Sequence, residues 1–153
     1  MLQLQVDIQF TAMTLWHVLA TANLVLLAGD HFITSVTGIF FPAKAARLYQ
    51  RMFGAQMPLT PELIAVLKPW GALGIFAALA GLLPAIDPLR YRGVLYALLV
   101  LLALRVLIRL WNAASAQKHF NVSPGRNLFH IGVILFCAAM IASQLAWWGN
   151  GVG

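Results

Sequence analysis

The sequence predicts an all-α fold: an integral-membrane four-helix bundle with a short interfacial helix between its first and second helices. Three observations predict it. Of 153 residues, 61% are apolar and only 9% are charged, far outside the balance of soluble domains. Four continuous apolar stretches, roughly 8–29, 64–86, 93–111 and 128–148, each approach the ~20 residues a helix needs to cross a bilayer. The cations gather in the connections. A barrel would instead show ~10-residue segments of alternating polarity. At 16.7 kDa, residues 1–153 suffice for one transmembrane domain.

The first stretch lacks a basic leader region, carries Asp7 before it and exceeds the h-region of a signal peptide, so it is expected to stay as a helix. Its polar residues Thr14, His17 and Thr21 recur on one helical face. The helix is expected to end near Gly29-Asp30. In the connection that follows, Phe40, Phe41, Leu48, Met52 and Phe53 interleave with Lys44, Arg47 and Arg51, which predicts an interfacial helix over 43–52. Thr60-Pro61-Glu62 has the form of a capped helix start. In the second span, Gly71, Gly74, Ala78 and Gly81 form a small-residue face suited to close helix approach. That face is expected to meet other membrane subunits or a second copy of the chain.

Pro84 and Asp87-Pro88 close the second span in a short turn. The third span carries Arg105 and Arg109 one turn apart. Arg109 can snorkel, whereas Arg105 lies deeper and needs a long reach or an acid, with Asp30 and Glu62 as the candidates. Ser123-Pro124-Gly125 turns the chain into the last span, which ends at the interfacial anchor Trp147-Trp148.

A net charge of +6 and a pI near 10.3 would suit nucleic acid in a soluble protein. Here Lys44, Arg47 and Arg51 lie in one connection and Arg109, Lys118 and Arg126 in another, against only Arg90 and Arg92 on the opposite side. The charge is therefore a topology signal: both long loops cytoplasmic, both termini outside, and no nucleic-acid partner. The single cysteine, Cys137, excludes an intrachain disulfide and a CxxC motif.

His17 falls near the middle of the first apolar stretch, where an ionisable group marks a functional site by default. With Trp16, Thr14, Thr21, Tyr96 and Gln144 it outlines a binding pocket for an apolar ligand such as a quinone, isoprenoid or lipid. A structural hydrogen bond across helices is the alternative. His31 and His130, at the same predicted depth, are the one pair placed to hold a haem, or a metal with Asp30. No HExxH motif, nucleophile elbow, phosphate loop or paired carboxylates occur.

The Phe41-Pro42 turn, the glycines of the second span (Gly71, Gly74, Gly81), the Arg92-Gly93 pair and the leucine-rich third span resemble the DoxX-like superfamily of small four-helix membrane proteins across roughly 10–148. The resemblance implies a bacterial inner membrane and an accessory role in a membrane redox complex. It transfers no catalytic residue, and the acidic residue often seen in the family's second helix is replaced here by Lys68-Pro69-Trp70. Three functions follow as expectations: an accessory subunit of a larger membrane complex, a binding protein or enzyme for an apolar ligand, and a b-type cytochrome subunit.

Overall fold

The computed structural model describes residues 2–56 and 58–150, with side chains over 15–56 and 58–146. Six helices follow one another: α1 (Leu2–Phe40), α2 (Pro42–Phe53), α3 (Pro61–Ile86), α4 (Arg92–Trp111), α5 (Ala113–Phe120) and α6 (Pro124–Asn150). No strand occurs among the described residues. α1, α3, α4 and α6 are long and apolar enough to cross a membrane. At most a third of any span is buried inside the protein, the highest share being 33% in α6. Leu26, Phe76, Leu107 and Phe136 are all more than half exposed, so the surroundings of the bundle must themselves be apolar.

The spans form a ring in the order α1–α3–α4–α6, each packed on two antiparallel neighbours. This is the up-down-up-down arrangement that short connections favour. Leu24 of α1, Leu95, Leu98 and Leu102 of α4, and Ile134, Ile141 and Leu145 of α6 fill the centre. The connections holding α2 and α5 share one end, joined where Gln56 N–H donates to the Phe120 carbonyl at 2.8 Å. All the chain's Lys and Arg except Arg90 and Arg92 lie towards that end, which is the basic end of the bundle.

The expected start at Thr60 is observed, with its hydroxyl accepting from Leu63 N–H at 3.2 Å and Pro61 in the first turn. The interfacial helix forms with Lys44, Arg47 and Arg51 exposed and Ala45, Leu48, Tyr49, Met52 and Phe53 turned inward. It ends at Gly54, whose φ of +70° is a left-handed stop that glycine adopts without strain.

Two expectations need correction. α1 does not end near Gly29-Asp30 but runs to Phe40. Thr34 and Thr37 turn their hydroxyls back on the carbonyls of Asp30 (2.6 Å) and Ile33 (2.7 Å), so these polar residues are satisfied within the helix. The glycine face of α3 is not an outward surface either, for it packs on α1. Gly71 lies against Ile39 and the Ser35 carbonyl, Gly74 against Ser35, and Gly81 against Ala28 and Leu98; Gly71, Ala78 and Gly81 are buried. Small residues on α3 bring the two backbones together within one chain.

Candidate functional site

The α1–α3 register decides which histidine of α1 lies beside α3. Gly74 faces Ser35 and Gly81 faces Ala28, and continuing that antiparallel pairing brings Ile86, the last residue of α3, level with Asn23. His17 is six residues further along α1, about 9 Å beyond the end of α3 at 1.5 Å per residue. It therefore lies past the end of α3, within the apolar stretch of α1. His31 lies opposite the glycines of α3, well inside the span.

His31 is held at both ring nitrogens. Nδ1 is 2.8 Å from the Leu27 carbonyl one turn back, and Nε2 is 2.7 Å from Nη1 of Arg105 on α4. A carbonyl only accepts and a guanidinium only donates, so both bonds exist together only for the neutral imidazole with its proton on Nδ1. Arg105 thus meets the lone pair of a neutral ring instead of the acid expected for it. Asp30 is half exposed and approaches His31 Nδ1 at 3.9 Å, the one acid–base contact within 4.0 Å among the described residues. Glu62 is exposed in the first turn of α3.

Around this pair lies a cavity of about 390 Å³, whose polar lining is His31, Thr34, Ser35, Tyr49 and Arg105. Leu67, Ala77 and Leu101 supply apolar wall, and Gly71 and Gly74 its floor. Trp70 and Leu73 also line it and are 69% and 66% exposed, so its mouth reaches the lipid-facing side of α3. Arg105 is six residues from the end of α4 at Trp111, about 9 Å into the span. Thr34 donates its proton to the Asp30 carbonyl. The arginine, the Tyr49 phenol, the Ser35 hydroxyl and the Trp70 indole N–H are groups of this lining able to donate to a guest.

On the basic side of Tyr49 a second cavity of about 310 Å³ lies beneath α2 and α5. Its polar lining is Tyr49, Arg109, Asn112 and Asn127. Arg109 stands 5.0 Å over the Phe53 ring and donates to Asn127 Oδ1 at 3.1 Å, while Asn127 Nδ2 donates to the Arg109 carbonyl at 3.4 Å. Asn127 is buried, and the reciprocal bonds fix the guanidinium. Tyr49 lines both cavities, and burial, with a smaller push from Asp30, raises its phenol above the ordinary 10.0 against the opposing pull of Arg105 and Arg109.

The other residues singled out from sequence lie apart from these two cavities. Trp16, His17 and Thr21 are half-buried, and the Thr14 side chain lies outside the described residues. Tyr96 is 50% exposed and lies 5.8 Å from the Arg92 guanidinium. Gln144 is buried, with Oε1 unpartnered, as is Nδ2 of Asn23 on α1. Neither basic cavity is lined by any of them. His130 does not pair with His31: its Nε2 donates to the Met52 carbonyl at 3.1 Å and its ring packs 4.1 Å from Phe53. Haem ligation by His31 would have to break the Leu27 or the Arg105 bond. Among the described residues no three His, Cys, Asp or Glu side chains group to hold a metal ion.

Asn127, Ser35 and Tyr49 were not singled out from the sequence, because each is an ordinary polar residue until its helix is packed. Arg105 and Arg109 carried the signal, being cations in an apolar run without an acid at helical spacing. Compared with known proteins, the chain matches no family model, no curated protein and no solved structure.

Proposed function

We propose that this membrane protein binds an amphipathic molecule bearing an oxyanion, a lipidic carboxylate or phosphate, in the cavity around His31 and Arg105. One observation carries the reading: a guanidinium inside the span with no carboxylate of the described residues within 4.0 Å, facing a cavity whose polar lining holds no acid. At ~4 Å and an effective dielectric of ~20, a unit anion gains about 4 kcal/mol beside that charge. A neutral carbonyl, such as a quinone's, gains less, roughly 1.5–3 kcal/mol, from a hydrogen bond to the same charged donor. The charge therefore favours the anionic end of the ligand classes open to the sequence. The apolar wall and the lipid-side mouth suit a tail, and His31 acts as a positioning residue that aims the arginine.

An accessory role, as the DoxX-like resemblance implies, is supported less. The glycine face that suggested docking is packed against α1. The basic end is assigned to the cytoplasm by the positive-inside bias, and a bacterial inner membrane rests on the resemblance.

The test is lipid analysis of the protein purified in mild detergent. Wild type should retain an acidic lipid, and Arg105→Gln should lower its affinity about tenfold or more, the scale of a charge-assisted hydrogen bond. His31→Ala, which keeps the charge but frees it, should weaken binding less. Retention of only neutral lipid, or equal retention by Arg105→Gln, would overturn the proposal.

A further inference from the structure

The cavity beneath α2 and α5 points to a second and separate site, and we infer that it receives the phosphate headgroup of an acidic phospholipid from the leaflet at the basic end. Its walls are apolar, with Phe53, Leu63, Ile108 and Val122 prominent, and Arg109 is their one charged member. The guanidinium is anchored before any guest arrives, through Asn127 on one side and the Phe53 ring on the other. One of its N–H groups serves Asn127, and no acid of the described chain lies within 4.0 Å of it. A fixed planar fork with donors to spare suits a phosphate.

Location selects the source. Ala55, Asn112, Ala116, Phe120 and Val122 come from the connections at the basic end, so the site sits at headgroup level, where the other cavity opens towards lipid tails. Exposed Arg47, Arg51, Lys118 and Arg126 belong to the same end, and such clusters draw acidic lipids to a membrane surface. The apolar walls then take the glycerol and first methylenes of a phospholipid, which free phosphate does not have.

Native mass spectrometry of the full chain, titrated with phosphatidylglycerol or phosphatidylcholine in mixed micelles, counts the sites. Wild type should hold two phosphatidylglycerols and discriminate against phosphatidylcholine at least tenfold. Arg109→Gln should hold one, lost only on adding Arg105→Gln. Ala116→Phe fills the cavity beneath α2 and α5 while leaving Arg109 and Asn127 intact, so it guards against a folding defect in the arginine variant and should also hold one. If Arg109→Gln and Ala116→Phe both still bind two, or if phosphatidylcholine or inorganic phosphate occupies the site equally, the inference fails. A single phosphatidylglycerol lost with Arg105→Gln alone would sink this site and leave the membrane-depth site standing. One lost with Arg109→Gln alone would do the reverse.

Discussion

Tyr49 shows how one residue ties the two cavities together. It projects from an amphipathic helix at the membrane surface, yet it lines both basic cavities and its neutral phenol is favoured by burial. The folded-state value lies above the unfolded one, so the contribution to stability is complete below pH 10 and is lost as pH rises through the folded value. Tyrosinate absorbance should show a component titrating above the ordinary 10.0, and Tyr49→Phe should abolish that late component while leaving stability at neutral pH nearly unchanged. A late component that persists in Tyr49→Phe would contradict the assignment. The site itself was half legible at this scale. Arg105 announces itself in any hydropathy scan, but the sequence pointed it at Asp30 or Glu62, and the observed partner is a neutral histidine 74 positions away.

Among the helices, the contact of α3 with α1 is the most extensive, and it rests on glycines that differ in what surrounds them. A Cβ at Gly71 would collide with Ile39 and lie 3.0 Å from the Ser35 backbone carbonyl, which cannot rotate away; at Gly74 it would meet the Ser35 hydroxyl, which can. Gly71→Ala should therefore cost about 1–3 kcal/mol, the range for overpacking, and Gly74→Ala less. Gly29 lies inside α1, where an added methyl would find nothing within 4 Å, so Gly29→Ala should add about 0.5–1 kcal/mol. Thermal unfolding in detergent ranks the three, and a Gly71→Ala as stable as wild type would reject the packing account. Spacing made the glycine stripe visible in the sequence, but whether its partner is another subunit or the same chain is no property of the stripe. The end of α1 was misjudged for a similar reason. Gly29-Asp30 has stop chemistry, yet the threonines that follow satisfy themselves within the helix and α3 packs along it as far as Ile39.

For the molecule as a whole, charge predicts orientation. With Cys137→Ala as background, a cysteine at Ser115 in α5 should react with an impermeant maleimide only after the cells are opened, and one at Leu89 in the α3–α4 turn should react in intact cells. The opposite pattern would invert the bundle and place the basic cavities outside. The number of spans, the interfacial helix, the Thr60 cap and the basic end were all readable from the chain alone. They depend on composition and on periodicity along it, which lipid and water act upon directly wherever a segment lies. Register is different in kind. A hydropathy window centres on the most apolar residues and so put His17 at mid-membrane, whereas the α3 glycines slide α1 until His31 stands beside Arg105 and His17 lies past the end of α3. Which polar groups meet inside an apolar bundle is decided by how close and at what offset the backbones pack, a property of pairs of helices that no single segment carries.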